Sequence, residues 1–244
     1  MLMVTMNTGK KDKKLRVQII DLADRDYPVV LQGRLGKDAP AGLYALGETA
    51  ILRRRLLGLI CSIQCPGSIV LKTFDTIRAL RDEGVAVVGG FLSPMERDCL
   101  DILLRGKQPI ILCPARGLKG LRLGEKARQA VDEGRLLVLS AFTDDVRHTT
   151  AAQAVRRNNL VAALADALLV PYAAPNGKTW TTVHAALARK QPVFTFDVED
   201  NAALLEAGAQ PFQLLSVQWK NGTGTINEQL MRGFEDVPPG YGKM

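Results

Sequence analysis

Seven short hydrophobic runs recur along the chain, and each is almost continuously apolar rather than alternating with polar residues. A run of this kind is typical of a β-strand that is covered on both faces. We therefore predict a buried central sheet. Its strands are expected at positions 43–46, 57–61, 85–90, 109–113, 136–140, 167–170 and 192–196.

Amphipathic stretches lie between most of these runs and predict helices. Their apolar residues recur at helical spacing, and the first stretch stops at Gly84, a residue type that commonly ends helices. Strands that alternate with helices predict parallel βαβ units with right-handed crossovers. The sequence therefore predicts an α/β fold with a doubly wound, mostly parallel, Rossmann-like sheet. The apolar helical positions are Val70, Phe74, Ile77, Leu80, Met95, Cys99, Ile102, Ala127, Ala130, Val131, Val155, Leu160, Ala163, Leu164, Val183, Ala186 and Leu187.

The pattern changes at both ends of the chain. Residues 1–21 are predicted to form a basic arm, and residues 22–213 the Rossmann-like domain. Residues 214–244 lose the alternation and end in the Pro- and Gly-rich "EDVPPGYGKM", so we expect a partly flexible C-terminal extension. The cationic residues of the arm are Lys10, Lys11, Lys13, Lys14 and Arg16.

Composition narrows the class of protein. The 244 residues are 47% hydrophobic, which is sufficient for a buried core. No apolar run is long enough to cross a membrane, and the N-terminus lacks the apolar stretch of a secretory signal. We therefore expect a cytoplasmic protein with no membrane partner.

Charge and cysteine content bear on the ligands that the chain could bind. Lys and Arg number 32 against 25 Asp and Glu, a net charge of +7 that suits a polyanionic partner without identifying one. The cysteines form no CxxC pair, so buried thiols are the favoured interpretation. We expect no metal site and no cofactor. The cysteines are Cys61, Cys65, Cys99 and Cys113.

The segment "AAPNGKTWTT" at 173–182 contains a Gly-Lys-Thr like that of a nucleotide-binding P-loop. The glycine just before the lysine is the second glycine of a P-loop, and a P-loop needs its first glycine five residues earlier. This chain has Tyr172 there, and Pro175 removes one of the backbone N–H donors. We therefore reject the P-loop interpretation.

The same segment is still a candidate anion site. It is predicted to lead from a strand through a loop into a helix that begins at about Lys178 or Thr179, where a phosphate would meet backbone N–H groups. Asn176, Gly177, Lys178 and Thr179 are the candidate ligands. A tight turn in which Thr179 caps the helix explains the segment equally well.

Four polar residues interrupt an Ala- and Leu-rich helix and form a second candidate: Arg156, Arg157, Asn158 and Asn159. A guanidinium group can bind phosphate through two parallel hydrogen bonds. We expect Arg157 to be a surface group in a turn just before the apolar part of the helix. The alternative is the outward face of an amphipathic helix.

A third candidate follows the predicted strand at 85–90. Gly89 and Gly90 would allow a ligand to approach the backbone closely, and Ser93 is positioned to cap the next helix. Glu96 is expected to be exposed in that helix's first turn, where it stabilises the helix dipole. Because parallel strands end together, this turn and the loop at Gly177 are expected to face one crevice.

Taken in order, these segments resemble the DNA-processing protein family DprA, also called Smf, which shares a Rossmann-like superfamily with the LOG phosphoribohydrolases. The resemblance covers roughly residues 22–213 and rests on the ordered sum of the segments. The segments are "YPVVL" at 27–31, "LYALG" at 43–47, "GGFLSPMERDCLDILLRGKQPIILCPARGL" at 89–118, "RRNNLVAALADALLVPYAAPNGKTWTTVHAALARKQPVFTF" at 156–196 and "LLEAGA" at 204–209.

The resemblance implies a single extended domain that binds single-stranded DNA in a basic pocket. It also implies a homodimer and a partner, a RecA-like recombinase, that the protein helps to load. Carried over by position, Arg157 and Asn158 occupy the family's Arg-Asn turn, and Asn159 replaces its second arginine. Gly177 and Lys178 lie in its Ser-Gly-Ser loop.

The motifs make this chain a divergent relative. The family's Gly-Ser-Arg after the first core strand is "CSIQ" at 61–64, which keeps only Ser62 and lacks the phosphate-binding arginine. The family's Gly-Ile-Asp and the His that follows it are "PME" at 94–96 and Leu100. We expect no winged-helix domain after the Rossmann-like domain.

Two classes of function remain open. The first is a non-enzymatic, DprA-like protein that binds single-stranded DNA in recombination or DNA uptake, which Arg156, Arg157 and Lys178 favour. The second is a site for a nucleotide-type ligand, in a sensor or a LOG-like phosphoribohydrolase. Cleavage of an N-glycosidic bond needs an acid, and the helix that starts near Lys178 carries no carboxylate. The sequence therefore favours a binding protein over an enzyme.

We predict that the purified protein hydrolyses no ATP above background, because the segment at 173–182 lacks the first glycine of a P-loop. A phosphate-release assay on the wild type and on Lys178→Ala checks this. ATP turnover that the substitution abolishes would contradict the prediction.

Overall fold

The computed structural model describes residues 16–212, and these residues form one nine-stranded sheet. Residues 1–15 of the predicted arm and all of the predicted extension at 214–244 lie outside the described residues. The strands are β1 (Gln18–Asp21), β2 (Gly42–Leu46), β3 (Leu57–Leu59), β4 (Val87–Gly89), β5 (Ile110–Leu112), β6 (Leu136–Ser140), β7 (Ala167–Leu169), β8 (Val193–Thr195) and β9 (Gln210–Pro211).

The strands lie in the order β1-β2-β6-β5-β4-β3-β7-β8-β9 across the sheet. β2 pairs antiparallel with both β1 and β6, and the other neighbours pair parallel. Each of the seven hydrophobic runs overlaps one strand from β2 to β8, so the predicted, mostly parallel sheet is confirmed. The pattern predicts neither β1, where only Ile20 is buried, nor the exposed β9. β1 lies within the segment assigned to the basic arm.

The helices cover both faces of the sheet, as double winding requires. The chain runs from β3 outward to β6, and it then returns across the sheet to β7 beside β3. No helix among residues 16–212 is long and apolar enough to span a membrane. The helices are α1 (Val30–Leu35), α2 (Gly67–Asp82), α3 (Pro94–Leu103), α4 (Glu125–Asp132), α5 (Ala151–Leu164), α6 (Lys178–Ala188) and α7 (Ala202–Glu206).

The core consists of two hydrophobic layers, one on each face of the sheet. Helices α2, α3 and α4 supply one layer, and α1, α5, α6 and α7 supply the other. The side chains of β6 alternate between them, since Leu136 and Val138 belong to the first layer and Leu137 and Leu139 to the second. Burying one such side chain stabilises the fold by about 1.5–3 kcal/mol. This two-sided burial explains why the strands are continuously apolar.

Candidate nucleic-acid interface

The candidate residues lie at the end of the sheet where the parallel strands finish, here called the carboxyl end. β3 is the switch point of the winding, because its neighbours β4 and β7 are reached by crossovers on opposite faces. Ligands of doubly wound sheets bind in the crevice that opens at such a point. The loops that follow β3, β4 and β7 therefore border the candidate site.

Ser62 joins the loop after β3 to the loop after β7. Its backbone N–H donates to the Tyr172 carbonyl over 3.0 Å, and its Oγ accepts a hydrogen bond from the Ala174 N–H, also over 3.0 Å. Ser62 and its two partners therefore lie in loops that border the switch point. Ser62, the one residue of the family's Gly-Ser-Arg motif that this chain keeps, thus holds the two loops together.

The loop after β7 leads into α6, which begins at Lys178 as predicted. Gly177 is the N-cap residue and supplies no side-chain cap, while Asn176 before it adopts a positive φ of 61°. Thr179 is buried inside the helix, so the alternative in which Thr179 caps the helix is wrong. The Lys178 side chain is exposed. The first turn of α6 is therefore without a side-chain cap and has a cation beside it.

Glu96 differs from its sequence-based prediction, because its side chain is buried at 5% exposure rather than exposed. One carboxylate oxygen accepts hydrogen bonds from the N–H groups of Leu92 and Ser93, and the other accepts from the N–H of Cys61 over 3.1 Å. The Ser93 hydroxyl accepts in return from the Glu96 N–H and completes a capping box. Glu96 therefore fastens the loop after β3 to the start of α3.

Arg157 also differs from its prediction, because it is 4% exposed and lies in the second turn of α5 rather than in a turn before a helix. α5 begins at Ala151, where Thr150 and Gln153 form a capping box. The buried position places the Arg157 side chain against the backbone of Gly90. A Cβ atom at Gly90 would lie 1.4 Å from Nη1 of Arg157, so only glycine leaves room for the guanidinium.

The guanidinium of Arg157 is a buried cation with neutral hydrogen-bond partners. Nε donates to Oδ1 of Asn158 over 2.8 Å, and Nη1 donates to the Cys113 carbonyl over 3.2 Å. Among the described residues no carboxylate forms a salt bridge with it. Burial lowers the pKa of Arg157, and the charge of the more distant Glu96 partly opposes that shift. A cation held in this way gains stability from an added anion.

The neighbours of Arg157 on α5 have separate roles. Arg156 is exposed, and its guanidinium carbon lies 5.4 Å from the centre of the Phe142 ring, in the loop after β6. Asn159 faces α6 and accepts a hydrogen bond from the Thr182 hydroxyl over 3.1 Å. Arg156 and Arg157 are therefore both placed at the carboxyl end, whereas Asn159 joins two helices.

Further cations lie in the loops after β5 and β6, and they are not among the candidate residues chosen from the sequence. The Gly117 N–H donates to the Val146 carbonyl over 2.9 Å, and the Lys119 N–H donates to Oδ1 of Asp144 over 3.0 Å, so the two loops are hydrogen-bonded to each other. Lys119 and Arg147 have exposed side chains there. The sequence does offer an indication of them, because each of the two residues lies in a loop that follows a predicted strand.

The cysteines are mostly buried in the part of the chain that the structure describes. Cys61, Cys99 and Cys113 are buried, as expected, and Cys65 is partly buried. Burial raises the pKa of the Cys99 and Cys113 thiols, which makes them poor nucleophiles. Residues 16–212 contain no group of three or more His, Cys, Asp or Glu side chains that could hold a metal ion.

We predict that Glu96→Ala lowers the free energy of unfolding by about 2–4 kcal/mol, because it leaves buried N–H groups without an acceptor. Glu125→Ala is the matched control, since Glu125 is an exposed residue in the first turn of α4. Its loss should cost at most about 1 kcal/mol, the usual strength of a helix-dipole interaction. Urea unfolding measures both, and equal effects would contradict the assignment of Glu96.

Two solved structures are similar to this chain over most of its length. The X-ray structure of DNA processing protein A (DprA) from Streptococcus pneumoniae aligns with a TM-score of 0.66 and 18% identity, covering 81% of this chain and 71% of that one. The structure of DNA processing protein A from Helicobacter pylori, which describes its single-stranded DNA binding mode, aligns with a TM-score of 0.64 and 20% identity. That match covers 81% of this chain and 91% of that one. At these identities the matches establish a shared fold.

One of the two sequence comparisons identifies the family. Comparison with curated proteins finds no match. The family model of DNA recombination-mediator protein A, in contrast, matches residues 18–216, a range that contains every described strand. This match confirms the resemblance inferred from the ordered motifs. The chain belongs to the DNA recombination-mediator protein A family.

Proposed function

We propose that this protein binds single-stranded DNA at the carboxyl end of its sheet and acts in DNA processing without catalysing a reaction. The observation that carries the proposal is the buried Arg157 guanidinium, which hydrogen-bonds only to neutral groups and forms no salt bridge with Glu96, the carboxylate whose charge acts on it. Removing a cation from water is costly unless an opposite charge lies nearby. A DNA phosphate at the crevice would supply that charge.

The surroundings of Arg157 support a polyanion rather than an isolated phosphate. Exposed cations at the carboxyl end include Arg156, Lys178, Lys119 and Arg147, and they come from several different loops and helices. Several separate cations at one end of the sheet suit a ligand with repeated phosphates. The first turn of α6 adds N–H groups that no side chain caps. The net charge of +7 agrees with such a ligand.

The solved relatives support the choice of DNA. The Helicobacter pylori protein, whose fold this chain shares, binds single-stranded DNA. The family model that matches this chain is that of a DNA recombination mediator. A binding role in the same process explains the charge, the fold and the family together.

The alternative hydrolytic function has weaker support from the site. A LOG-like phosphoribohydrolase needs a carboxylic acid that can reach the substrate. Glu96 is the carboxylate next to the switch point, but its oxygens are occupied by three backbone N–H groups inside the protein. α6 carries no carboxylate. A nucleotide-binding sensor without hydrolysis is the competing function that a binding experiment must separate.

The family resemblance also bears on where the protein acts in the cell, on its oligomeric state and on its protein partner. We propose a cytoplasmic homodimer that delivers DNA to a RecA-like recombinase. Sedimentation of the purified protein and a recombinase-loading assay test these two points independently of DNA binding.

We predict that Arg157→Ala and Lys178→Ala each weaken binding of oligo-dT about ten- to a hundredfold, as expected for loss of a charged hydrogen bond to phosphate. Each lost phosphate contact should also reduce the slope of log affinity against log salt by about 0.7. Fluorescence anisotropy at several salt concentrations measures both. The matched control is Arg54→Ala, an exposed arginine before β3 at the opposite end of the sheet.

Three results would contradict this assignment. One is normal binding by both site variants with loss of binding in Arg54→Ala. Another is binding that does not depend on salt. The third is a single mononucleotide that competes at much lower concentration than oligo-dT, which would favour the sensor.

We predict that Gly90→Ala reproduces the DNA-binding loss of Arg157→Ala, because the new methyl group would occupy the place of the guanidinium. The effects should not add: the double variant should bind as weakly as either single variant. A double-mutant cycle on oligo-dT affinity checks this. Independent losses that multiply in the double variant would show that Gly90 acts by another route.

A further inference from the structure

Ile63 is exposed at the switch point, although isoleucine is among the residue types most often buried. Its relative exposure is 77%, the highest among the exposed large hydrophobic residues in the described part of the chain. It immediately follows Ser62 in the loop after β3. Single exposed apolar residues are common on protein surfaces, so exposure alone indicates nothing about function.

Hydrogen bonds hold the two residues that precede Ile63, which separates it from an ordinary surface residue. The Cys61 N–H donates to the Glu96 carboxylate, and the Ser62 N–H donates to the Tyr172 carbonyl. The Ser62 hydroxyl accepts from Ala174 in addition. These bonds fix the backbone that leads into Ile63, whose side chain is exposed in this structure.

The site offers few other apolar surfaces to a nucleic-acid base. Phe91 and Phe142, aromatic residues of the loops after β4 and β6, are 5% and 4% exposed, and Tyr172 of the loop after β7 is partly buried against the core. Buried rings cannot act as platforms on which bases stack. Among the loops that border the switch point, the loop after β3 presents the most exposed large apolar side chain, that of Ile63, with Leu92 of the loop after β4 less exposed.

We propose that Ile63 is a base-contacting residue, which packs against a base of the single strand whose phosphates bind the cations at the carboxyl end. The inference rests on the proposed function and deepens it, because it divides the site into phosphate contacts and one apolar base contact. A protein partner is less favoured, since one isolated side chain is far smaller than the apolar core of a protein interface.

The test compares two probes that carry the same number of phosphates: oligo-dT and an abasic oligomer of equal length. We expect Ile63→Ala to weaken oligo-dT binding about three- to tenfold, less than an aromatic stacking contact would. It should leave abasic binding and the salt slope unchanged. Ile63→Arg should increase the salt slope by about 0.7, the value for one added phosphate contact, and reduce the preference for oligo-dT over the abasic probe.

Leu71→Ala is the matched control, because Leu71 is 67% exposed on α2 and should leave both affinities unchanged. The inference is overturned if Ile63→Ala binds both probes as the wild type does, or loses affinity for both equally. A change in sedimentation with unchanged DNA binding would instead identify a contact between copies of the chain, and would also overturn it. Failure of the wild type to bind either probe refutes the proposed function itself.

Discussion

The carboxyl end of this protein depends on one constraint, the burial of a positive charge at Arg157. The guanidinium lies on Gly90, donates to the Cys113 carbonyl, and forms no salt bridge within the described residues. Burial disfavours its charged form. A fold selected only for stability would favour an apolar side chain at such a position. The arrangement is accounted for if the cation serves an anionic ligand, because functional sites commonly retain features that cost stability.

The loops around this charge are hydrogen-bonded to one another. Ser62 joins the loops after β3 and β7, and Glu96 joins the loop after β3 to α3. A site whose parts are already ordered loses less conformational entropy on binding. Exposed cations such as Lys178 lie at the same end of the sheet. This combination suits a flexible polyanion, which must itself be ordered when it binds.

The sequence predicts the fold well because burial on both faces leaves a local signature in each parallel strand. β1 and β9 escape prediction because most of their residues are exposed. The site is predicted less completely, since burial there depends on distant partners. The buried Glu96 carboxylate accepts a hydrogen bond from the N–H of Cys61, which lies 35 residues away in the sequence. The buried Arg157 guanidinium donates to the carbonyl of Cys113, which lies 44 residues away. Residue type alone makes Arg157 a candidate phosphate ligand, but it cannot show that the side chain is buried.

The central claim is that Arg157 is retained because it binds an anion, not because it stabilises the fold. Urea unfolding of the wild type and Arg157→Met, with and without oligo-dT, tests it most directly. The account predicts that the variant is at least as stable as the wild type without DNA. With DNA at a hundred times its dissociation constant, the wild type should gain about 2.7 kcal/mol, and the variant much less. A variant that loses several kcal/mol without DNA, yet gains as much from DNA as the wild type, would contradict the account.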